Sequence, residues 1–422
     1  MGLIVLAWIL MFYYHEVYVP NSTVSQCTWS DTHINDPDLK HSSPGMFTKV
    51  MLVADPQLID GHTYPGRGDF LLKVSQHTVD MYLHRNYKAL LNRLKPDFIF
   101  FLGDLLDSAR SSLDEYFDTQ VARFNRIFDI DPRYKYGSNV FLNVAGNHDI
   151  GFGHQLIQTA RERFGMVFGA PNTYVDINGI DFVTVDGPLL SSPDPIIKNE
   201  AMLFLSSYRN NKERPSLRIL LTHVPLYRDP VAKPCTNSRE NLPFAITKGH
   251  QYQLILDEPV TDEILQAIQP IAIFSGDDHD YCKIDHILHN FQTKQLTRVI
   301  EYTVKSISMA MGIKFPAVQL LTYGSIPDLG FTYTSNQCYL EKPYYNIFSY
   351  VTLAVLSGVI LLVINLMKRR TFVGAARSDQ ESNSVTLKPL HRVGYKLLHF
   401  VRDALITGIA VIVVYVAGFC WW

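Results

Sequence analysis

The sequence predicts an α/β domain, its sheet covered by helices, together with segments apolar enough to span a membrane. Three features predict it. Short apolar runs recur between residue 48 and about residue 325, and each stops at an abrupt polar turn. Segments with helical apolar spacing follow the first two of these runs. Two long stretches near the C-terminus carry no charged side chain.

The apolar runs are KVMLVA, DFIFFL, NVFLNVA, LRILLT and IAIFS, starting at residues 49, 97, 139, 217 and 271. Runs this short without alternation read as strands buried on both faces. Between the first two, residues 70–94 (FLLKVSQHTVDMYLHRNYKALLNRL) have helical spacing, and Pro96 supplies a stop. Residues 111–128 show a similar pattern. Strand, helix, strand in this order implies a sheet flanked by helices. Residues 20–46 are polar, contain Pro37 and Pro44, and read as a linker. With 47% hydrophobic residues the 422-residue chain can build a substantial core. A formal net charge of -2 and a pI near 6.7 argue against a nucleic-acid binder.

Residues 344–367 and 404–422 are each about long enough to cross ~30 Å of hydrocarbon as a helix. The first nineteen residues, MGLIVLAWILMFYYHEVYV, fit either a signal-peptide core or a short anchor. The absence of a basic leader and of a small-residue cleavage site favours a signal anchor. Between residues 368 and 402, Lys368, Arg369, Arg370, Arg377, Lys388, Arg392, Lys396 and Arg402 face only Asp379 and Glu381. Such a loop belongs in the cytosol, which places the domain at 48–343 in the lumen. Asn21-Ser22-Thr23 is a glycosylation acceptor consistent with that side. Trp421 and Trp422 are expected as aromatic anchors at the lumenal interface. Cys27, Cys235, Cys282 and Cys338 allow three pairings. Cys27 and Cys338 each lie near an apolar segment, which favours joining them and leaves Cys235 with Cys282; free buried thiols are the alternative.

Each strand-like run ends in side chains able to bind a metal: Asp55-Pro56-Gln57, Gly103-Asp104, Gly146-Asn147-His148-Asp149, His223, and FSGDDHDYC at 274–282. In open α/β sheets, chemistry gathers at these carboxyl ends. The last turn crowds three acids together, which is unfavourable without a positive partner. In this order the turns resemble the calcineurin-like metallophosphoesterase superfamily, with its DxH, GDxxD, GNHD, isolated H and GHxH pattern. The resemblance implies a β-sandwich flanked by helices, here with transmembrane helices added, and a pair of divalent cations. It makes Asp104 the bridging carboxylate, with Asn147 and His223 completing one ion and Asp55 and His279 serving the other. His148 is left free to protonate the leaving oxygen or stabilise the transition state, with Asp149 expected to orient its ring. A hydroxide made available by a depressed water pKa is the expected nucleophile. Gln57 and Asp277 stand where the superfamily has histidines. These harder oxygen donors favour manganese over zinc. Asp278 and Asp280 are expected to face solvent or to support the ligands.

GDLLDSA and AGNHD differ from the GDxVDRG and RGNHE signatures of the protein phosphatases. ADPQL, THVPLYR and SGDDHDYC look like the fungal-type ER phosphoesterases that remodel GPI anchors. That resemblance implies removal of an ethanolamine-phosphate branch from an anchor mannose. It also implies GPI-anchored proteins and their glycolipid, membrane lipid and ER cargo receptors as partners, and no nucleic acid. Arg228, Tyr227 and His250 are candidate substrate contacts. Alternatives are a lumenal phosphoesterase acting on another diester, or a catalytically weak membrane protein that handles cargo.

Overall fold

The computed structural model describes residues 1–30, 47–211, 213–215, 217–235, 239–240, 244, 248–249, 252–289, 296–326, 330–367 and 389–420. They form two compact units, one comprising 1–19 and 344–422, the other 20–343.

Among the described residues the larger unit has the strands β1 Phe47–Val53, β2 Phe98–Phe101, β3 Val140–Phe141, β4 Thr173–Ile177, β5 Ile180–Thr184, β6 Arg218–Leu221, β7 Lys248–Gly249, β8 Tyr252–Gln253, β9 Ala272–Ser275, β10 Cys282–His289, β11 Leu296–Thr303, β12 Ala317–Ile326 and β13 Gly330–Tyr339. One sheet has the order β13-β12-β1-β2-β3, a second the order β10-β11-β9-β6-β5-β4, and β7 pairs with β8. Within them β1-β2-β3 and β11-β9-β6-β5 run parallel, with antiparallel neighbours at the margins.

Alternation along β1 explains the layering. Val50 and Leu52 join Phe100, Phe182, Ile219, Leu221 and Phe274 in the core between the sheets. Met51 and Val53 point the other way, among Tyr87, Phe101, Phe124 and Phe128; side chains in a strand alternate faces. Tyr87 lies on the helix Asp69–Leu94, and Phe124 and Phe128 on the helix Asp114–Phe128. Leu220 and Ile273 pack with Leu205 and Ile264, from the helices Pro195–Asn210 and Glu258–Ile268. The result is the expected sandwich with helices outside both sheets. It explains the runs read from the sequence: all of them are strands with apolar side chains on both faces.

The smaller unit packs three helical segments around Ile4, Trp8, Phe12 and Leu361. Trp8 Nε1 donates to Ser357 Oγ at 3.2 Å, and the Tyr350 hydroxyl to Glu16 Oε1 at 2.6 Å. Among the described residues three segments are long and apolar enough to cross a membrane: Gly2–Val24, Tyr345–Met367 and Lys396–Gly418. Two boundaries differ from those expected. The first helical segment continues past residue 19 to Val24, through a π-turn at Tyr14–Tyr18 that buries His15 and Glu16. The last helix begins at Pro389 rather than 404, because Leu397, Leu398 and Phe400 extend its apolar character into the basic segment. Lys368, Arg369, Arg370, Arg377, Lys388, Trp421 and Trp422 lie outside the described residues, whereas Arg392, Lys396 and Arg402 fall on the last helix.

Both expected disulfides are present, Cys27–Cys338 with Cα atoms 5.3 Å apart and Cys235–Cys282 with Cα atoms 4.9 Å apart. Phe100 stacks on Phe141 and Phe182 at centroid distances of 4.6 and 4.9 Å, bridging the two sheets. Phe100→Ala is therefore expected to lose about 3–5 kcal/mol of stability, read as a fall in the thermal midpoint of the purified chain; an unchanged midpoint would contradict this packing.

Candidate metal centre

The ligand turns follow β1, β2, β6 and β9, while Asn147 opens the short helix Asn147–Ile150 beyond β3. To aim side chains back across the sheet ends, the backbone adopts conformations that L-residues rarely take. Asp55 has φ 48°, Gln57 34°, Asp104 49°, Asp277 66° and His279 65°. Each such residue costs roughly 1–3 kcal/mol and persists only where its surroundings enforce it. The strands approach so closely here that side chains are excluded from two positions. A Cβ on Gly103 would fall 2.5 Å from His223 Nδ1, and one on Gly146 would fall 2.1 Å from Asp104 Oδ1.

Five of the expected ligands meet around one ring. One donor atom each from Asp55, Asp104 and His223 lies within 4.8 Å of the others, and all three residues are buried. His223 Nδ1 sits 2.7 Å from the Leu102 carbonyl, which can only accept, so Nδ1 carries the proton. Nε2 faces three oxygens: Asn147 Oδ1 at 3.2 Å, Asp104 Oδ1 at 3.4 Å and Asp277 Oδ1 at 3.5 Å. Donor atoms packed this closely are stable only around positive charge, whether a ring proton or a metal ion. The donor set therefore fits a metal, and so do its orphaned atoms. Asp55 Oδ2, Gln57 Oε1 and Asp277 Oδ2 are buried without a hydrogen-bond partner. Burial drives the Asp55 carboxyl well above its usual range and Asp104 adds to this, despite His223. Burial would also lower His223, but Asp104 and Asp277 hold it well above its ordinary value. Protein charges alone thus leave the acids competing for protons. His279 is only part-buried by exposure but lies within electrostatic reach of Asp104, Asp277, His148 and His223. Its imidazole is lowered chiefly by desolvation, which suits a neutral metal ligand.

Residues 30–281 match the family model for the calcineurin-like phosphoesterases. The chain belongs to this family. It is similar to Cell division control protein 1 of Saccharomyces cerevisiae, 38% identical over 349 residues, covering 80% of this chain and 68% of the yeast protein. It is also similar to Metallophosphoesterase 1 of Xenopus laevis, 27% identical over 307 residues (66% of this chain, 71% of the relative). The corresponding Pongo abelii protein is 28% identical over 288 residues (62% and 68%). The protein is therefore a metallophosphoesterase, with Asp55, Asp104 and His223 as its candidate metal-binding triad.

In the phosphoesterase the ring of His148 is held by a residue the sequence reading did not single out. Its Nδ1 lies 2.6 Å from the Asp107 carbonyl and 3.3 Å from Asp107 Oδ1. Asp107 is the second acid of GDLLD; its spacing was legible, but its meeting with His148 depends on the fold. Burial would lower the His148 imidazole, yet Asp104 and the bond to Asp107 push it up to about 9. Gln57 lies between them: its Nε2 donates to Asp107 Oδ1 at 3.0 Å and lies 3.2 Å from His148 Nε2, while its Oε1 is buried without a hydrogen-bond partner.

The expected role of Asp149 is corrected. Its carboxylate accepts from the backbone N–H groups of Leu105, Leu106 and Gly146 at 3.3, 3.2 and 3.0 Å, so it braces the two ligand turns and does not orient His148. Nor do Asp278 and Asp280 face solvent. Asp278 pairs with Arg239, and Asp280 accepts from the buried Lys305 at 3.0 Å and from the Glu240 N–H at 2.8 Å. Arg228 is buried against the Phe244 ring, its guanidinium carbon 3.7 Å from the centroid, and among the described residues it makes no hydrogen bond. Tyr227 is half-buried, and its N–H donates to Thr261 Oγ1 at 2.8 Å. Nothing brings either residue directly onto the triad. His250 lies outside the described residues.

Asp104→Ala and Gly146→Ala are expected to strip metal from the purified protein, as measured by elemental analysis. Asp107→Ala should retain the metal while turnover falls by about 10²-fold. Undiminished turnover in Asp107→Ala would show that this contact does not position His148.

Proposed function

We propose that the chain is a manganese-dependent phosphodiesterase of the ER lumen that removes an ethanolamine-phosphate branch from a mannose of GPI anchors. The observation that carries the hydrolytic part is the convergence of Asp104, Asn147 and Asp277 oxygens on the buried His223 Nε2, with His148 beside them. Asp55, Gln57, Asp104, Asn147, His223, Asp277 and His279 would hold two divalent cations. When bound, such ions offset charge on phosphoryl oxygens and acidify water. The oxygen-rich donor set supports manganese.

The chain's own residues supply the rest. Asp107 holds the His148 Nδ1–H, and the ring, pushed up to about 9, carries a second proton on Nε2; giving that proton to the departing alkoxide leaves a neutral imidazole and an alcohol. Asp149 and the two excluded Cβ positions keep the turns at one spacing, so the reacting groups need little reorganisation.

Substrate and compartment rest on other support. The motifs ADPQL, THVPLYR and SGDDHDYC resemble those of GPI-remodelling phosphoesterases. Two disulfides suit an oxidising compartment. Apolar helices fit a substrate anchored in the same bilayer, because tethering raises effective concentration.

Mass spectrometry of GPI glycans from cells carrying His148→Ala should show retained ethanolamine phosphate. Unaltered glycans would refute the substrate assignment, whereas hydrolysis of a model phosphodiester by the wild-type protein tests the chemistry separately.

A further inference from the structure

The loop after the first ligand turn holds a side chain that the metal chemistry leaves unused. His62 is exposed, yet it is pinned from several directions. Its N–H donates to Asp60 Oδ1 at 2.7 Å, and Asp60 Oδ2 accepts from the hydroxyls of Ser108 and, at 3.1 Å, Tyr116. The next residue, Thr63, donates its N–H to Asp107 Oδ2 at 2.9 Å and its hydroxyl to the same oxygen. The buried Arg110 reaches the ring itself: Nη2 lies 3.0 Å from His62 Nε2, while Nη1 donates to the Asn147 carbonyl at 3.0 Å.

A guanidinium only donates, so His62 Nε2 holds a lone pair and the ring proton sits on Nδ1. The ring stands edge-on to His148, with centroids 5.9 Å apart. Thus an exposed ring whose proton sits on Nδ1, supported by a buried arginine that also holds the backbone of a candidate metal ligand, lies beside the group that serves the leaving oxygen. An uncharged donor is a weak partner for an anionic phosphoryl oxygen, whose charge the cations and His148 already meet; hydrogen bonds to ions favour charged donors. It is matched to a neutral oxygen.

We propose that His62 is a specificity residue whose Nδ1–H donates to a hydroxyl or ring oxygen of the leaving alcohol, selecting phosphodiesters of polyols such as sugars. This rests on the phosphodiesterase reading above. The test compares full-length wild-type protein and His62→Ala, both loaded with Mn²⁺, on two ethanolamine phosphodiesters, one of a mannoside and one of p-nitrophenol. A lost neutral hydrogen bond should lower kcat/KM for the mannoside ester about tenfold more than for the aryl ester. His62→Asn, which returns an N–H near the Nδ1 position, should recover part of that difference. Equal losses on both esters, or no loss on either, would overturn the proposal while leaving the phosphodiesterase reading intact. A wild-type protein that cleaves neither ester would overturn both.

Discussion

The site depends on bringing several carboxylates into a space from which water is excluded. Asp55, Asp104 and Asp277 surround the buried His223 ring, and their mutual repulsion can be relieved only by positive charge. In the protein alone the histidines have to supply it, which is why Asp104 and Asp277 hold His223 well above its ordinary value despite its burial. A divalent ion removes the conflict, so the tolerance of strained backbone at the turns and the affinity for metal are two sides of one balance.

That balance explains where the sandwich keeps its polar interior. Residues 303–308, between β11 and β12, lace the turns together: Ser306 N–H donates to the His279 carbonyl at 3.0 Å, Ser306 Oγ to the Asp55 carbonyl at 2.8 Å, and Ile307 N–H to the Ala54 carbonyl at 3.0 Å. The fully buried Lys305 extends from this segment to Asp280 and Glu240. Below it Glu301 accepts from Ser275 Oγ at 2.8 Å and the Leu226 N–H at 3.1 Å, and pairs with His286 at 2.7 Å. Buried ion pairs of this kind contribute little net stability. Here they keep separate strand ends in register.

Much of this was legible in the sequence, for a physical reason. A strand buried on both faces must be apolar throughout, so β1, β2, β3, β6 and β9 stand out, and the abrupt turn after each marks a sheet end. The strands β4, β10 and β13 were missed because a half-exposed strand mixes polar and apolar residues: β13, GFTYTSNQCY, resembles a loop. The buried β5 and β12 were missed because Asp181, and Gln319 and Thr322, interrupt their apolar runs. The candidate triad Asp55, Asp104 and His223 followed from residue type, but the partners of the residues around it did not. Asp107 and Asp149 are both acids beside motif residues, and only the chain path decides that the first holds His148 and the second holds backbone. His62 gave no sequence signal, since the arginine that fixes its ring lies 48 residues away.

Cys282 follows His279 and Asp280 closely, and its sulfur is joined to Cys235. The last ligand turn is therefore stapled to a distant loop by a bond that forms only under oxidation. A newly made polypeptide whose thiols remain reduced lacks that staple at the point where the ions are to be received. Oxidation of those thiols is thus what ties the His279 turn covalently to the loop at Cys235.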